Sequence, residues 1–164
     1  MSSEKLKKIS NVLSAVSIGL LLIALLFGFS FIKVGVQNLV AIDNVNIDLE
    51  SSADSRKKIE GKLVSANTQI SQVSYFVDDK EYTADLQVYT DEYKVGDTLD
   101  VYISIDEPTN VNNIRVPQLF ISYYGKVGKM MLKIGIIIVG VCCTVGIILL
   151  IIARSMRKKI GSAE

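Results

Sequence analysis

Several residues and motifs on which enzymes depend are missing from this chain of 164 residues. It has no histidine, so the commonest general base and metal ligand is absent. The two cysteines, Cys142 and Cys143, are neighbours inside an apolar run, where they make neither a disulfide for a soluble region nor the spacing of a metal site. No Walker, nucleophile-elbow or zinc motif occurs. We therefore predict a protein without catalytic residues, metal or cofactor.

Acidic side chains in the middle of the chain are the remaining candidates for chemistry. They are Asp78, Asp79, Glu81, Asp85, Asp97 and Asp100. Paired carboxylates can catalyse hydrolysis or bind a hard cation, but these lie on predicted turns and polar strand faces, where acids are common anyway. Residues 34–129 hold fifteen acidic and nine basic side chains, a balance that argues against nucleic-acid binding.

Charges are also missing from two long apolar runs, residues 9–32 and residues 134–153. As helices of 24 and 20 residues they would extend about 36 Å and 30 Å, enough to cross a hydrocarbon core of about 30 Å. A cleaved signal peptide has an apolar core of only about 7–15 residues and ends in small residues. Residues 27–32 are mostly bulky instead, so we expect the first run to be an uncleaved signal anchor.

The chain therefore divides into segments with different roles. In order, these are a basic cytoplasmic N-terminus (1–8), a first transmembrane helix (9–32), a connector (33–58), a small β domain (59–124), a juxtamembrane segment (125–133), a second transmembrane helix (134–153) and a basic cytoplasmic tail (154–164). Within the connector, residues 34–50 can either continue the first helix or form an edge strand. Residues 51–58 have the composition of a solvated linker.

The β domain is predicted from alternating apolar and polar residues. Residues 73–77 and 82–88 alternate on either side of a turn at 78–80, which is typical of a hairpin. A further strand, 99–105, follows a turn formed by Val95, Gly96 and Asp97, where the chain must reverse to pair the strands on either side. Weaker candidates are residues 59–66 and an edge strand at 114–124, interrupted by Pro117. The predicted fold is thus α+β, with two transmembrane helices flanking a small, mainly antiparallel, barrel-like domain of SH3 or OB size.

Each apolar run carries a stripe of mostly small residues at heptad-like spacing. The first stripe is Ser10, Ser14, Ser17, Leu21, Ala24 and Gly28, and the second is Gly135, Val139, Cys142, Gly146, Leu149 and Ala153. Small residues let helices approach closely in lipid. We expect helix packing to use Ser17, Ala24, Gly28, Gly135, Cys142 and Gly146. The two spans would either pack on each other or contact a protein partner, such as a second copy or a transporter.

The short basic segments at both ends predict the orientation of the chain. An excess of Lys and Arg favours the cytoplasmic side, so both termini are expected there and the β domain outside the cytoplasm. Lys33, Lys126, Lys129 and Lys133 oppose this orientation. The loop that they flank is longer than the ~60 residues over which loop charges govern orientation, so the termini decide.

Residues 61–110 resemble an uncharacterised family of bacterial membrane proteins, a domain of unknown function. The resemblance is carried by Gly61 with Val64, a Tyr-rich hairpin at 75–82, the Tyr-x-Val-Gly-Asp turn with its strand at 93–101, and an acidic Pro/Asn turn at 106–110. It implies a β domain between two transmembrane helices and brings no known chemistry. The hairpin differs from the family pattern by having Asp79-Lys80 in place of Asp-Gly.

These observations predict a non-catalytic, multi-pass protein of the cell membrane. Its β domain would be a binding or scaffolding module of the bacterial cell envelope, and its partners would be the lipid bilayer and a protein. The alternative is an accessory subunit of a membrane transporter or envelope complex.

Overall fold

A computed structural model describes residues 3–67 and 69–161, with the side chains of Ser3 and Gly161 excluded. Residues 1 and 2 of the predicted N-terminus, Thr68 and residues 162–164 of the predicted tail lie outside the described residues. The chain forms two compact units. Within the described residues, one comprises 3–36 and 130–161, here called the helix pair. The other comprises 37–129, here called the sheet unit.

Two long helical segments account for the apolar runs. The first consists of α1 (Ser3–Ile23), a π-helical turn (Ala24–Gly28) and α2 (Phe29–Ser51), and the second is α3 (Pro117–Gly161). Both are long and apolar enough to cross a membrane, by length and composition. Residues 34–50 are helical rather than a strand. The reason is visible in Leu39, Ile42, Val45 and Leu49, whose spacing of three and four places them on one helix face.

Four antiparallel strands form the sheet of the sheet unit. They are β1 (Arg56–Ala66), β2 (Ser71–Val77), β3 (Lys80–Leu86) and β4 (Thr98–Ser104), in the order β3-β2-β1-β4. The predicted hairpin is confirmed as β2–β3. Its two loop residues, Asp78 and Asp79, have φ of 49° and 62°, the positive angles of a tight turn that matches strand twist.

The core of the sheet unit lies on one face of this sheet. Alternate residues of the strands are buried there: Leu63, Val73, Tyr75, Ala84, Leu86, Leu99, Val101 and Ile103. The same cluster includes Ile114, Val116 and Leu119, from the segment that enters α3. Phe120 and Tyr123 pack against its edge. The opposite face of the sheet is mostly polar, with Phe76 exposed on it, so the buried core lies on one side only.

The prediction of a barrel is wrong, because the described strands form one open sheet. The predicted edge strand at 114–124 makes only an isolated bridge between Arg115 and Tyr102, and α3 begins at Pro117. Proline suits the first turn of a helix, where its missing N–H would have no partner anyway. The helix then covers the apolar face that barrel closure was expected to bury.

The linker predicted at 51–58 also differs from the structure, since β1 begins at Arg56. Arg56 Nη1 donates a hydrogen bond to the Asn113 carbonyl at 2.9 Å, and Lys58 Nζ lies 2.8 Å from Asp100 Oδ2. Local charge favoured a loop, but pairing with β4 and these specific partners stabilise a strand.

Candidate functional site

The two small-residue stripes meet inside the helix pair. Ser17 and Ser10 are both fully buried there. Ser17 Oγ donates to the Gly146 carbonyl at 2.6 Å, and Ser10 Oγ donates to the Ala153 carbonyl at 3.0 Å. Each buried hydroxyl is thus satisfied by a backbone carbonyl of the facing helix. Of the predicted packing residues, the structure therefore brings Ser17 and Gly146 together.

The helices approach each other closely at Gly28 and Gly135. A Cβ added at Gly135 would lie 2.8 Å from the Gly28 oxygen and 2.9 Å from the Ile32 nitrogen. Both are backbone atoms, so the space cannot be made by turning a side chain. A Cβ added at Gly28 would lie 2.5 Å from the Val139 side chain and 3.3 Å from its backbone nitrogen. Only residues without a side chain allow this separation.

Two other predicted packing residues, Ala24 and Cys142, differ in how deeply they are buried. Ala24 is 2% exposed and belongs to the π-helical turn, whereas Cys142 is half-buried and remains a free thiol, as does Cys143. Gly19 and Gly140 have no atom within 4 Å of an added Cβ, so glycine alone does not mark the contact.

Arg157 is a packing residue that sequence reasoning missed. Its Nε donates to Ser10 Oγ at 3.0 Å, and its Nη2 lies within 3.1 Å of Ser14 Oγ and 3.3 Å of Asn11 Oδ1. The prediction grouped Arg157 with a basic tail. Its spacing could have revealed this role, because Arg157 follows Ala153 by four residues and so extends the second stripe by one helical turn.

The turn at Val95, Gly96 and Asp97 lies against β1. Gly96 has φ of 102°, a conformation that fits the third position of a type II turn. Gly96 N–H donates to the Leu63 carbonyl at 2.7 Å, and Leu63 N–H donates to the Asp97 carbonyl at 3.0 Å. The turn therefore extends the β1–β4 pairing. It does not join β4 to the preceding strand, as the sequence suggested, because β3 pairs with β2.

Asp97 also holds the turn with its side chain. Its Oδ2 accepts a hydrogen bond from the Lys94 N–H at 2.8 Å, and its own N–H donates to the Lys94 carbonyl at 3.0 Å. Val95, by contrast, is 63% exposed. The carboxylate of Asp97 thus has a structural partner within the turn.

No protein-family model, curated protein sequence or solved structure matches this chain. The resemblance of residues 61–110 to a family of bacterial membrane proteins stays a prediction.

The acidic side chains have individual partners in the structure, and among the described residues no group of three or more acidic or cysteine side chains could hold a metal ion. Asp85 accepts a hydrogen bond from Gln72 at 2.8 Å, and Asp100 pairs with Lys58. The hydrogen bond from Lys58 to Asp100 raises the pKa of Lys58 above its ordinary value. These acids thus have partners on neighbouring strands.

A second ion pair joins Asp91 to Lys126 of α3. The hydrogen bond from Lys126 lowers the pKa of Asp91, and the same bond raises the pKa of Lys126. In the core, burial raises the pKa of Tyr75, whose hydroxyl has no hydrogen-bond partner among the described residues. These shifts have their causes in burial and in ion pairing within the fold.

Proposed function

We propose that this chain is a non-catalytic integral membrane protein. In this proposal the helix pair is the anchor, and the sheet unit is an extracytoplasmic binding or scaffolding module of the bacterial cell envelope. The cell-envelope setting comes from the resemblance of residues 61–110 and from the charge distribution, and the anchor from the helix pair itself.

One observation carries the proposal: the buried residues of the helix pair are small, whereas its large apolar side chains face outward. Its buried side chains include Ser10 and Ser17, whereas large apolar side chains such as Leu22, Leu25, Ile137 and Ile151 are more than half exposed. A contiguous apolar surface of this kind is rare on monomeric soluble proteins. Lipid chains would cover it, and they explain why the internal contacts use small residues and hydrogen bonds.

Topology is tested by labelling single cysteines on intact cells. Lys7→Cys and Lys94→Cys would each be made in a background with Cys142 and Cys143 replaced by alanine. Both positions are exposed in the structure. With an impermeant maleimide we expect labelling at 94 and none at 7 until the cells are permeabilised. Labelling at 7 alone would indicate the opposite orientation, and release of the chain from the membrane by alkaline extraction would contradict the proposed anchor.

The proposed binding role points to Phe76. This side chain is 61% exposed on β2, on the otherwise polar face of the sheet, opposite Glu81 of β3. Aromatic residues are enriched where proteins contact each other. A photo-crosslinking amino acid at 76 is expected to capture a defined partner in cells, whereas the same group at the equally exposed Val95 serves as the control. Absence of any adduct specific to 76 would count against this face.

The accessory-subunit alternative began from the two stripes of small residues. In the structure these stripes face each other, so they do not supply a free contact surface. An association with a larger membrane protein would have to use the remaining apolar surface of the helix pair. Copurification of a larger membrane protein in mild detergent would favour that alternative.

A further inference from the structure

A groove in the sheet unit separates the last turns of α2 from the first turns of α3. It has a volume of about 370 Å³, within the range of about 300–1,000 Å³ that small-molecule sites occupy. Its apolar wall includes Ala41, Val45, Leu49 and Phe120. An alkyl chain fits such a wall, because its transfer from water is favourable and needs no hydrogen-bond partner.

The charged lining of the groove consists of one side chain of each sign. Arg115 Nε lies 3.4 Å from Asp48 Oδ2, and both side chains are about half exposed. A well-formed guanidinium–carboxylate pair is shorter, about 2.7–2.9 Å, and is often bidentate. Among the described residues, Arg115 donates from Nε and Nη1. Its Nη2 and the second oxygen of Asp48 therefore remain accessible to a ligand.

The charge balance selects the ligand. A simple anion at Arg115 would be repelled by Asp48, and a simple cation at Asp48 would be repelled by Arg115. A head group that carries both charges can bind the two together, with its anion on the guanidinium and its ammonium on the carboxylate. The side chains of Asn44 and Tyr124 add neutral hydrogen-bonding groups to the same lining.

We propose that this groove binds a zwitterionic phospholipid, with one acyl chain along the wall of Ala41, Val45, Leu49 and Phe120 and the head group between Arg115 and Asp48. The proposal rests on the membrane location proposed above, since a bilayer is the source of such a ligand. It adds a defined lipid site to the sheet unit, separate from the lipid that surrounds the helix pair.

The full chain would be reconstituted into phosphatidylglycerol vesicles that contain a small fraction of photoactivatable lipid. Three probes with the same diazirine-bearing chain are compared: a phosphatidylethanolamine, a phosphatidylglycerol and an alkyltrimethylammonium. After irradiation, adducts are mapped by mass spectrometry. We expect phosphatidylethanolamine adducts on residues 41–49 and 115–124, several-fold above those of the other two probes at equal mole fraction.

Matched variants distinguish the proposed binding site of the acyl chain from that of the head group. Ala41→Phe fills the groove and is expected to reduce adducts several-fold, whereas Val40→Phe, at an exposed neighbour outside the lining, leaves them unchanged. Arg115→Gln and Asp48→Asn are each expected to abolish the preference for the zwitterion. Asp100→Asn removes the carboxylate that pairs with Lys58 between β4 and β1, outside the groove, and should leave that preference intact.

Equal labelling by all three probes, adducts outside the groove, or insensitivity to Ala41→Phe would overturn the proposal. Thermal melting of each variant identifies any loss of adducts that is due to unfolding. If the other variants unfold, the conservative Asp48→Asn variant is the test of whether the carboxylate is needed for the preference for the zwitterion. Flotation of the chain with vesicles is scored in the same samples. A chain that does not float contradicts the proposed membrane anchor, whereas a chain that floats without groove adducts contradicts only the lipid site.

Discussion

Replacing Gly135 by alanine should separate the two helices of the helix pair. An added Cβ would lie 2.8 Å and 2.9 Å from two backbone atoms, whereas ordinary contacts of a Cβ begin at 3.4 Å. The helices would therefore have to part by roughly 0.5 Å, a gap that forfeits about a quarter of the dispersion energy of each contact it opens. Overpacking of this kind typically costs about 1–3 kcal/mol, equivalent to about 5–150-fold in the association equilibrium.

Gly140→Ala is the matched control for this change. It lies on the same helix and has no atom within 4 Å of the added Cβ. The gain in helix propensity from glycine to alanine, about 1 kcal/mol in water, is common to both variants and cancels in the comparison. Any difference between them thus reports the contact between the helices.

The separation can be measured by energy transfer between fluorophores on cysteines placed at Lys8 and Lys158, in a background without Cys142 and Cys143. Increasing the SDS fraction in mixed micelles should abolish the transfer at a lower midpoint for Gly135→Ala than for Gly140→Ala. Coinciding midpoints would refute the argument that the Gly28–Gly135 approach holds the pair together.

Three further predictions concern the sheet unit. Gly96→Val should lower stability by about 1–3 kcal/mol in thermal melts, because φ is 102°, while Gly96→Asn retains most of it; equal melts would exclude backbone strain as the cause. Asp91→Asn should lower stability at neutral pH, and the difference from wild type should vanish in acid. The lowered pKa of Asp91 means that its stabilisation is present above the unfolded pKa and is lost as pH falls through the folded one. Tyr75→Phe should leave neutral stability unchanged or raise it by up to about 1 kcal/mol, because the hydroxyl is buried without a partner among the described residues. It should also reduce the loss of stability that wild type shows as pH rises past the ordinary tyrosine pKa, since burial raises the folded pKa of Tyr75, and the remaining loss includes the contributions of Lys58 and Lys126.

Long runs without charge were sufficient to predict two helices, although not that these continue to Ser51 and start at Pro117, and local periodicity predicted the β2–β3 hairpin. It was also present, but misinterpreted, at the start of α3. Val116, Phe120 and Tyr123 follow one another at helical spacing, and Leu119 completes the buried stripe. Reading Pro117 as an interruption of a strand hid this pattern, although proline is common where a helix begins.

Long-range pairing could not be read from the sequence. Arg56, Lys57 and Lys58 have the composition of a loop, and only the β4 strand, more than forty residues away, makes them part of a sheet. The same holds for Arg157 and Ser10, which are neighbours in space but separated by 147 positions. Stripes of small residues predicted that the helices would be packed, but not which surface each stripe would meet.

The pairing of β1 with β4 determines how the sheet unit would respond to a mechanical load. Arg56 at the start of β1 is opposite Ser104 at the end of β4, and Ile105 N–H donates to the Ser55 carbonyl at 2.9 Å. Tension that draws the segments before β1 and after β4 apart is therefore applied at one end of the ladder. The hydrogen bonds would break one after another, each resisting with its own net contribution of about 0.5–1.5 kcal/mol. Such a peeling geometry yields at a lower force than one in which all bonds are sheared at once, so the sheet would open progressively.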